Sequence, residues 1–263
     1  MKSQILGLGL LLAVNVASAA NIAIVDSGND FEHKDLKAKA WTNPGEIADN
    51  DRDDDKNGYP DDIHGWNFAD SNNILIDYSY SWSETADVRK FFEVQLKSFL
   101  GTLSQEEREW ANAKVKDPTF IHDISVFGNW AHGTHVTGIA ARFSADAKMI
   151  GAKLIPTEVK TPGKEATSSL LSIRTNNVEE TFDTNTEDKG GIKDALIMKA
   201  LQALSKQQSA VYGDIGRYIN GAHADVMNGS FGTGYTAIQG VITQLYTSIF
   251  KKAPTAEELK KYT

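Results

Sequence analysis

Four consecutive apolar residues, Ile22-Ala23-Ile24-Val25, run straight into Asp26-Ser27-Gly28. No polar residue alternates within the run, so the strand it predicts has apolar cover on both faces. Such a strand belongs in the middle of a parallel sheet. Lys148 to Ile155 repeats the pattern and is ended by Pro156. Helical spacing falls between and after these runs. One helix is expected to begin at or just before His132 and to carry Val136, Ile139, Ala140 and Ala141. Another carries Ile192, Leu196, Ala200 and Ala203, and a separate segment, Ile215 to Ile219, can end at Gly221. Strand, helix, strand, helix in this order predicts an α/β fold with a doubly wound parallel sheet.

In such sheets functional groups collect at the carboxyl ends of the strands, where Asp26 stands. Asp26 could equally be a turn residue or a helix cap. His132 is the second group of interest. A histidine at a helix start meets the positive end of the macrodipole, which disfavours imidazolium. A neutral imidazole can accept a proton near pH 7. The His132/His135 spacing is also compatible with simple packing or with zinc.

Read as a whole, His132-Gly133-Thr134-His135-Val136-Thr137-Gly138 resembles the histidine motif of the subtilisin-like serine proteases. Two further segments stand in that family's order. Ile24-Val25-Asp26-Ser27-Gly28 resembles the aspartate motif, and Glu32-His33-Lys34-Asp35-Leu36 resembles what usually follows it, with Lys34 in place of a proline. Asn228-Gly229-Ser230-Phe231-Gly232 resembles the segment that lines the substrate. The resemblance covers about residues 21–240. It implies that Asp26 orients His132, that His132 is the general base, and that Ser230, Phe231 and Gly232 pair with an extended polypeptide.

The chain departs from the family pattern in its later part. No Gly-Thr-Ser segment supplies a nucleophile, and no Ala-Gly-Asn segment supplies a side-chain oxyanion donor. Ser230 lacks the setting of the family's nucleophile. The resemblance therefore implies a secreted serine endopeptidase whose Asp and His are present and whose serine region is missing, with the sheet cut short on its C-terminal side. The alternative is a non-catalytic remnant that binds peptide or calcium. A calcium-stabilised surface module unrelated to proteolysis is a reading from a different class, and it makes both motifs coincidental.

Residues 49–62 are dense in carboxylates. Asp53, Asp55 and Asn57 fall at positions 1, 3 and 5 of a calcium loop, Gly58 at the sharp turn, the Tyr59 carbonyl at 7 and Asp61 at 9. Position 12 is His64, where a bidentate Glu is expected, and Asp62 can substitute. A solvated acidic turn is the alternative. The flanks, Trp41 to Glu46 and His64 to Phe68, resemble a bacterial subset of the family.

The remaining features bound the organisation. The 263 residues suffice for one sizeable domain, and a net charge of −8 argues against nucleic acid as a partner. Without cysteines, disulfides and thiol chemistry are excluded. Residues 1–19 read as a signal peptide: Lys2, an apolar core from Ile5 to Val16, then Ala17-Ser18-Ala19. This predicts secretion or export to a periplasm, with cleavage after about Ala19. No run is long enough to span a bilayer. Residues 20–263 then form the peptidase domain, with insertions near 70–130 and 157–190. In the first insertion Ser83 is expected to cap a helix ending near Gly101, and Ser104 with Glu107 to form a capping box for a second.

Overall fold

The computed structural model describes residues 19–142, 145–158, 192–231, 235–250 and 252–262. The leader at residues 1–18, most of the expected excursion at 157–190, and Gly232 lie outside the described residues. Four parallel strands form one sheet: β1 (Asn21–Asp26), β2 (Gly65–Asn67), β3 (Lys148–Lys153) and β4 (Val226–Gly229). Their order is β2-β3-β1-β4, so β1 is flanked on both sides.

The period of two along a strand decides what each residue of β1 meets. Ile22 and Ile24 face one layer, with Val136, Ala140 and Ala141 of helix α3 (Pro118–Arg142) and Met149 of β3. Ala23 and Val25 face the other, with Ile215, Tyr218, Ile219 and Ala222 at the end of helix α4 (Ile192–Gly221). Ile24, Met149 and Ile150 are fully buried, and each contributes roughly 2 kcal/mol of transfer energy. Cover on both faces accounts for the unbroken apolar run. The alternation also points Asp26, like Ile22 and Ile24, toward α3.

The first insertion is a helical hairpin. Helix α1 (Ala86–Phe99) begins at Thr85, whose hydroxyl accepts from Val88 N–H at 3.2 Å. The expected cap, Ser83, instead closes a preceding 3-10 turn by donating to Tyr80 O at 2.7 Å. Helix α2 (Gln105–Lys114) carries the expected Ser104/Glu107 capping box. The Thr255/Glu258 pair does the same for helix α6 (Ala256–Lys260), which follows helix α5 (Tyr235–Phe250).

Two helices are longer than their sequence periodicity suggests. The segments expected after Ile192 form one continuous helix of 30 residues. Helix α3 starts at Pro118, fourteen residues before His132, not at the histidine. Pro118 suits a first helical turn, where its missing N–H costs nothing. Phe120, Ile124 and Phe127 then bury against Val88, Phe91 and Trp110 of the hairpin. The insertion thus stabilises the N-terminal half of α3, and the sheet stabilises its C-terminal half. His132 therefore lies mid-helix, and the macrodipole argument for its neutrality does not apply.

Helix α3 approaches β1 closely at one point. A Cβ on Gly133 would lie 2.0 Å from Gly28 O, and Gly28 itself sits at φ +117° with its own Cβ position 2.0 Å from Leu75 O. Neither backbone can retreat from the other. Gly138, on the same helix, has nothing within 4 Å of its Cβ position. Gly133→Ala is therefore expected to cost at least about 2 kcal/mol. Gly138→Ala should be neutral or stabilising by up to about 1 kcal/mol through helix propensity. Thermal melts of the two variants check this, and equal melting temperatures would refute the close-approach argument.

Candidate active site

Asp26 emerges at the carboxyl end of β1 with no exposed surface. Its Oδ1 accepts the Ser27 N–H at 2.7 Å and lies 2.6 Å from His132 Nδ1. The two side chains meet across 106 positions of sequence. An ionised carboxylate offers only acceptors, so Nδ1 is the protonated nitrogen and the lone pair of the neutral ring lies on Nε2. The His132 side chain is 48% exposed, while its partner is sealed. The pair can thus take a proton from a group arriving at the open side of the ring, with Asp26 balancing the imidazolium that forms.

The residues after Asp26 grip α3. Ser27 Oγ accepts from Gly133 N–H at 3.1 Å, Asp30 N–H donates to Thr134 Oγ1 at 2.9 Å, and Asn29 Nδ2 donates to Thr137 Oγ1 at 2.5 Å. His135, one turn on, is exposed, and among the described residues no third histidine or carboxylate joins it and His132. Lys153 stands opposite Asp26 in the β1/β3 register and is buried, its Nζ donating to Thr157 Oγ1 at 2.9 Å. Burial pushes its pKa down, and the charges of Asp70 and Asp77 partly restore it.

Ser230 and Phe231 follow β4. Ser230 Oγ donates to Asn228 Oδ1 at 2.8 Å, and Phe231 stacks on Tyr212 at 6.1 Å between ring centroids. Val226 and Met227 are more than half exposed, so β4 is the thinly covered side of the sheet.

The acidic loop folds through residues with left-handed backbone: Asp49, Asp51, Lys56, Gly58 and Asp61. Of the five residues expected to ligate calcium, Asp55 alone joins a carboxylate cluster. Its partners are Glu46 and Asp62, with one oxygen from each within 4.8 Å of the others. Asp53 accepts from the Asn57 and Gly58 amides at 3.0 and 2.9 Å. Asp61 accepts from the Asn50 and Asp51 amides. Asn57 donates to Asp55 and Asp62. The Tyr59 ring packs on Trp66, Phe68 and Tyr218. Glu46, which the periodic loop pattern misses, accepts from the backbone of Asp54, Asp55 and Asp61. A cavity of about 550 Å³ opens beside the cluster, lined by Trp41, Asn43, Asp55, Asp62 and Tyr218 among others.

Asp62 has no exposed surface. Burial raises its pKa from the ordinary 3.8 to about 6, with the Asp55 charge adding to the rise. The nearby Tyr218 hydroxyl and the hydrogen bonds from Asn43 and Asn57 oppose it. The folded state therefore holds a proton here that the unfolded chain has released, and stability falls as pH rises from about 4 to about 6. Without divalent cations, denaturant melts across that window should show the loss, and Asp62→Asn should flatten it. An Asp62→Asn variant with an unchanged pH slope would contradict the assignment.

Known proteins bear on these two sites. The subtilase family matches residues 17–259. Subtilisin-like protease 1 of Plasmodium berghei (strain Anka) is 36% identical over 62 residues, 23% of this chain and 10% of that protein. Subtilisin-like protease 1 of Plasmodium vivax is 32% identical over 79 residues, 30% of this chain and 12% of that protein. The matched stretches thus span about a tenth of the length of these curated relatives. Among the described residues no helix is long and apolar enough to cross a membrane. The family match takes in almost the whole chain, including both β1 and the His132 segment: the chain belongs to the subtilase family.

Proposed function

We propose that this chain carries the acid–base half of a secreted or periplasmic serine endopeptidase. The observation that supports this most is the 2.6 Å contact between His132 Nδ1 and the buried Asp26 carboxylate. Asp26 fixes the tautomer. His132 Nε2 takes the proton of a serine hydroxyl as that oxygen attacks a peptide carbonyl, and returns it to the leaving amine from the acyl-enzyme. The substrate is an extended polypeptide, held by main-chain hydrogen bonds along Ser230, Phe231 and Gly232. A leader ending near Ala19 accounts for export.

A second reading is a non-catalytic remnant that binds peptide or calcium. The 263 residues contain no Gly-Thr-Ser segment. The chain alone should therefore remain unlabelled by a serine-directed fluorophosphonate. Labelling that vanishes in Ser230→Ala would show the nucleophile to be Ser230. Expressed together with a Gly-Thr-Ser-x-Ala segment encoded downstream, the chain should take the label and hydrolyse peptides. His132→Ala should then abolish turnover; in subtilisin itself the loss of either the serine or the histidine costs on the order of a million-fold. Such a pair that neither labels nor cleaves would favour the remnant.

Calcium is the ion whose chemistry fits the acidic loop. Three carboxylates held this close repel one another unless a proton or a cation sits among them, and a hard dication prefers all-oxygen donors. We assign Asp55, Glu46 and Asp62 as the carboxylate ligands. Asp53, Asn57 and Asp61 shape the loop, and Tyr59 anchors it to α4. A bound ion would neutralise the cluster and hold the loop closed. Calcium at a hundred times its dissociation constant should stabilise the fold by about 2.7 kcal/mol. The check is the melting temperature in millimolar-range calcium against chelator, at neutral pH. Asp55→Asn should shrink the difference, and no difference in the wild-type chain would exclude the ion.

A further inference from the structure

Asn29 is an unusual choice for its position. It is 1% exposed, three residues beyond Asp26, and lies beside Leu75, Gly151 and the buried Thr137. Its Nδ2 donates to Thr137 Oγ1 at 2.5 Å, yet its Oδ1 has no partner among the described residues. A buried amide oxygen left unpaired costs stability. An apolar side chain of similar size would leave nothing unsatisfied, because Thr137 Oγ1 already donates to Gly133 O at 2.7 Å. Packing alone therefore disfavours asparagine here.

The bond chain shows what the asparagine can do. Asn29 Nδ2 donates to Thr137 Oγ1, and that hydroxyl donates to the carbonyl of Gly133, the residue after His132. Asn29 is itself tied down, with its N–H donating to Leu75 O at 3.3 Å. The other two grips on α3, at Gly133 N–H and Thr134 Oγ1, both act within two residues of His132. Of these three bonds only Asn29–Thr137 reaches a turn further along, so it adds to the packing of α3 a polar restraint against tilt or rotation about that anchor. A helix held at two levels keeps its side chains in one azimuth, and bonds in series strengthen one another.

We propose that Asn29, acting through Thr137, is a positioning residue that holds His132 Nδ1 against Asp26 at some expense of stability. This rests on the reading of Asp26 and His132 as the acid–base pair. The tautomer of His132 reports the pair directly. Nδ1–H persists in the neutral ring only while the carboxylate accepts it.

The test uses the full chain and the long-range ¹H–¹⁵N spectrum of its histidine rings, at a pH where His132 is neutral. Asp26→Asn should remove the Nδ1–H form. Asn29→Leu should raise the ratio of the Nε2–H to the Nδ1–H form roughly fivefold, the loss expected for weakening one hydrogen bond. Its melting temperature should stay the same or rise. Thr137→Val should shift the ratio in the same direction, while Thr137→Ser, which keeps the hydroxyl, should not. A ratio unmoved in both Asn29→Leu and Thr137→Val overturns the proposal. So does a shift that Thr137→Ser shares, because the hydroxyl is then not the agent. A wild-type chain without the Nδ1–H form strikes instead at the Asp26–His132 pairing itself.

Discussion

The close approach of Gly28 to Gly133 is the contact on which the rest of this structure depends. It lets a buried strand end and a long helix come near enough for a side chain from each to share a proton. Any Cβ at Gly133 would meet Gly28 O at 2.0 Å and push the helix outward. The 2.6 Å bond between Asp26 and His132 has little room for such a shift, since hydrogen bonds weaken steeply outside their preferred geometry. The grips from Ser27, Asn29 and Asp30 are placed by the same turn, because Gly28 alone among these residues adopts a left-handed φ.

The second constraint is charge. Residues 49–62 place Asp55 and Asp62 beside Glu46, in a loop whose tight turns are held by carboxylates capping backbone amides. Capping satisfies the donors but leaves the net negative charge. Asp62, sealed from water, responds by holding its proton up to about pH 6. Burial is the main reason Asp62 keeps its proton and the Asp55 charge adds to it, and a divalent cation among the carboxylates would displace that proton. Tyr59 carries the consequence outward: its ring meets Trp66 and Phe68 on one side and Tyr218 of α4 on the other. Loop order and the cover of the sheet's second face are thereby coupled.

What the sequence disclosed follows from the range of each interaction. Burial on two faces leaves a local mark, so β1 and β3 could be read directly. The capping box at Ser104 also reads directly, because its partners lie three residues apart. The extent of α3 did not. Its two halves pack on different layers, so its apolar residues follow no single stripe: Phe120 faces the hairpin and Val136 the sheet. The gap between Asp26 and His132 was visible, but not that the insertion filling it props up the histidine's own helix. Glu46 escaped the calcium-loop pattern because its part is played across space, eight or more residues away from the loop positions it meets. Lys153 was hidden inside an apolar run, and only its burial sets it apart.

These features together explain why the dyad is compatible with a sheet that is unevenly covered. β1 and β3 are enclosed by α3 and α4, whereas β4 leaves Val226 and Met227 largely open. Every contact that fixes His132 comes from the enclosed side: Asp26, Ser27, Asn29 and Asp30 from the end of β1, and the hairpin through the first turns of α3. None runs through β4. Ser230 and Phe231 lie at the open side, joined to the acid–base pair through the backbone pairing of Gly229 with Val25. That arrangement suits the proposed division of labour, in which one side of the sheet holds the proton-transfer groups rigid and the other receives the polypeptide.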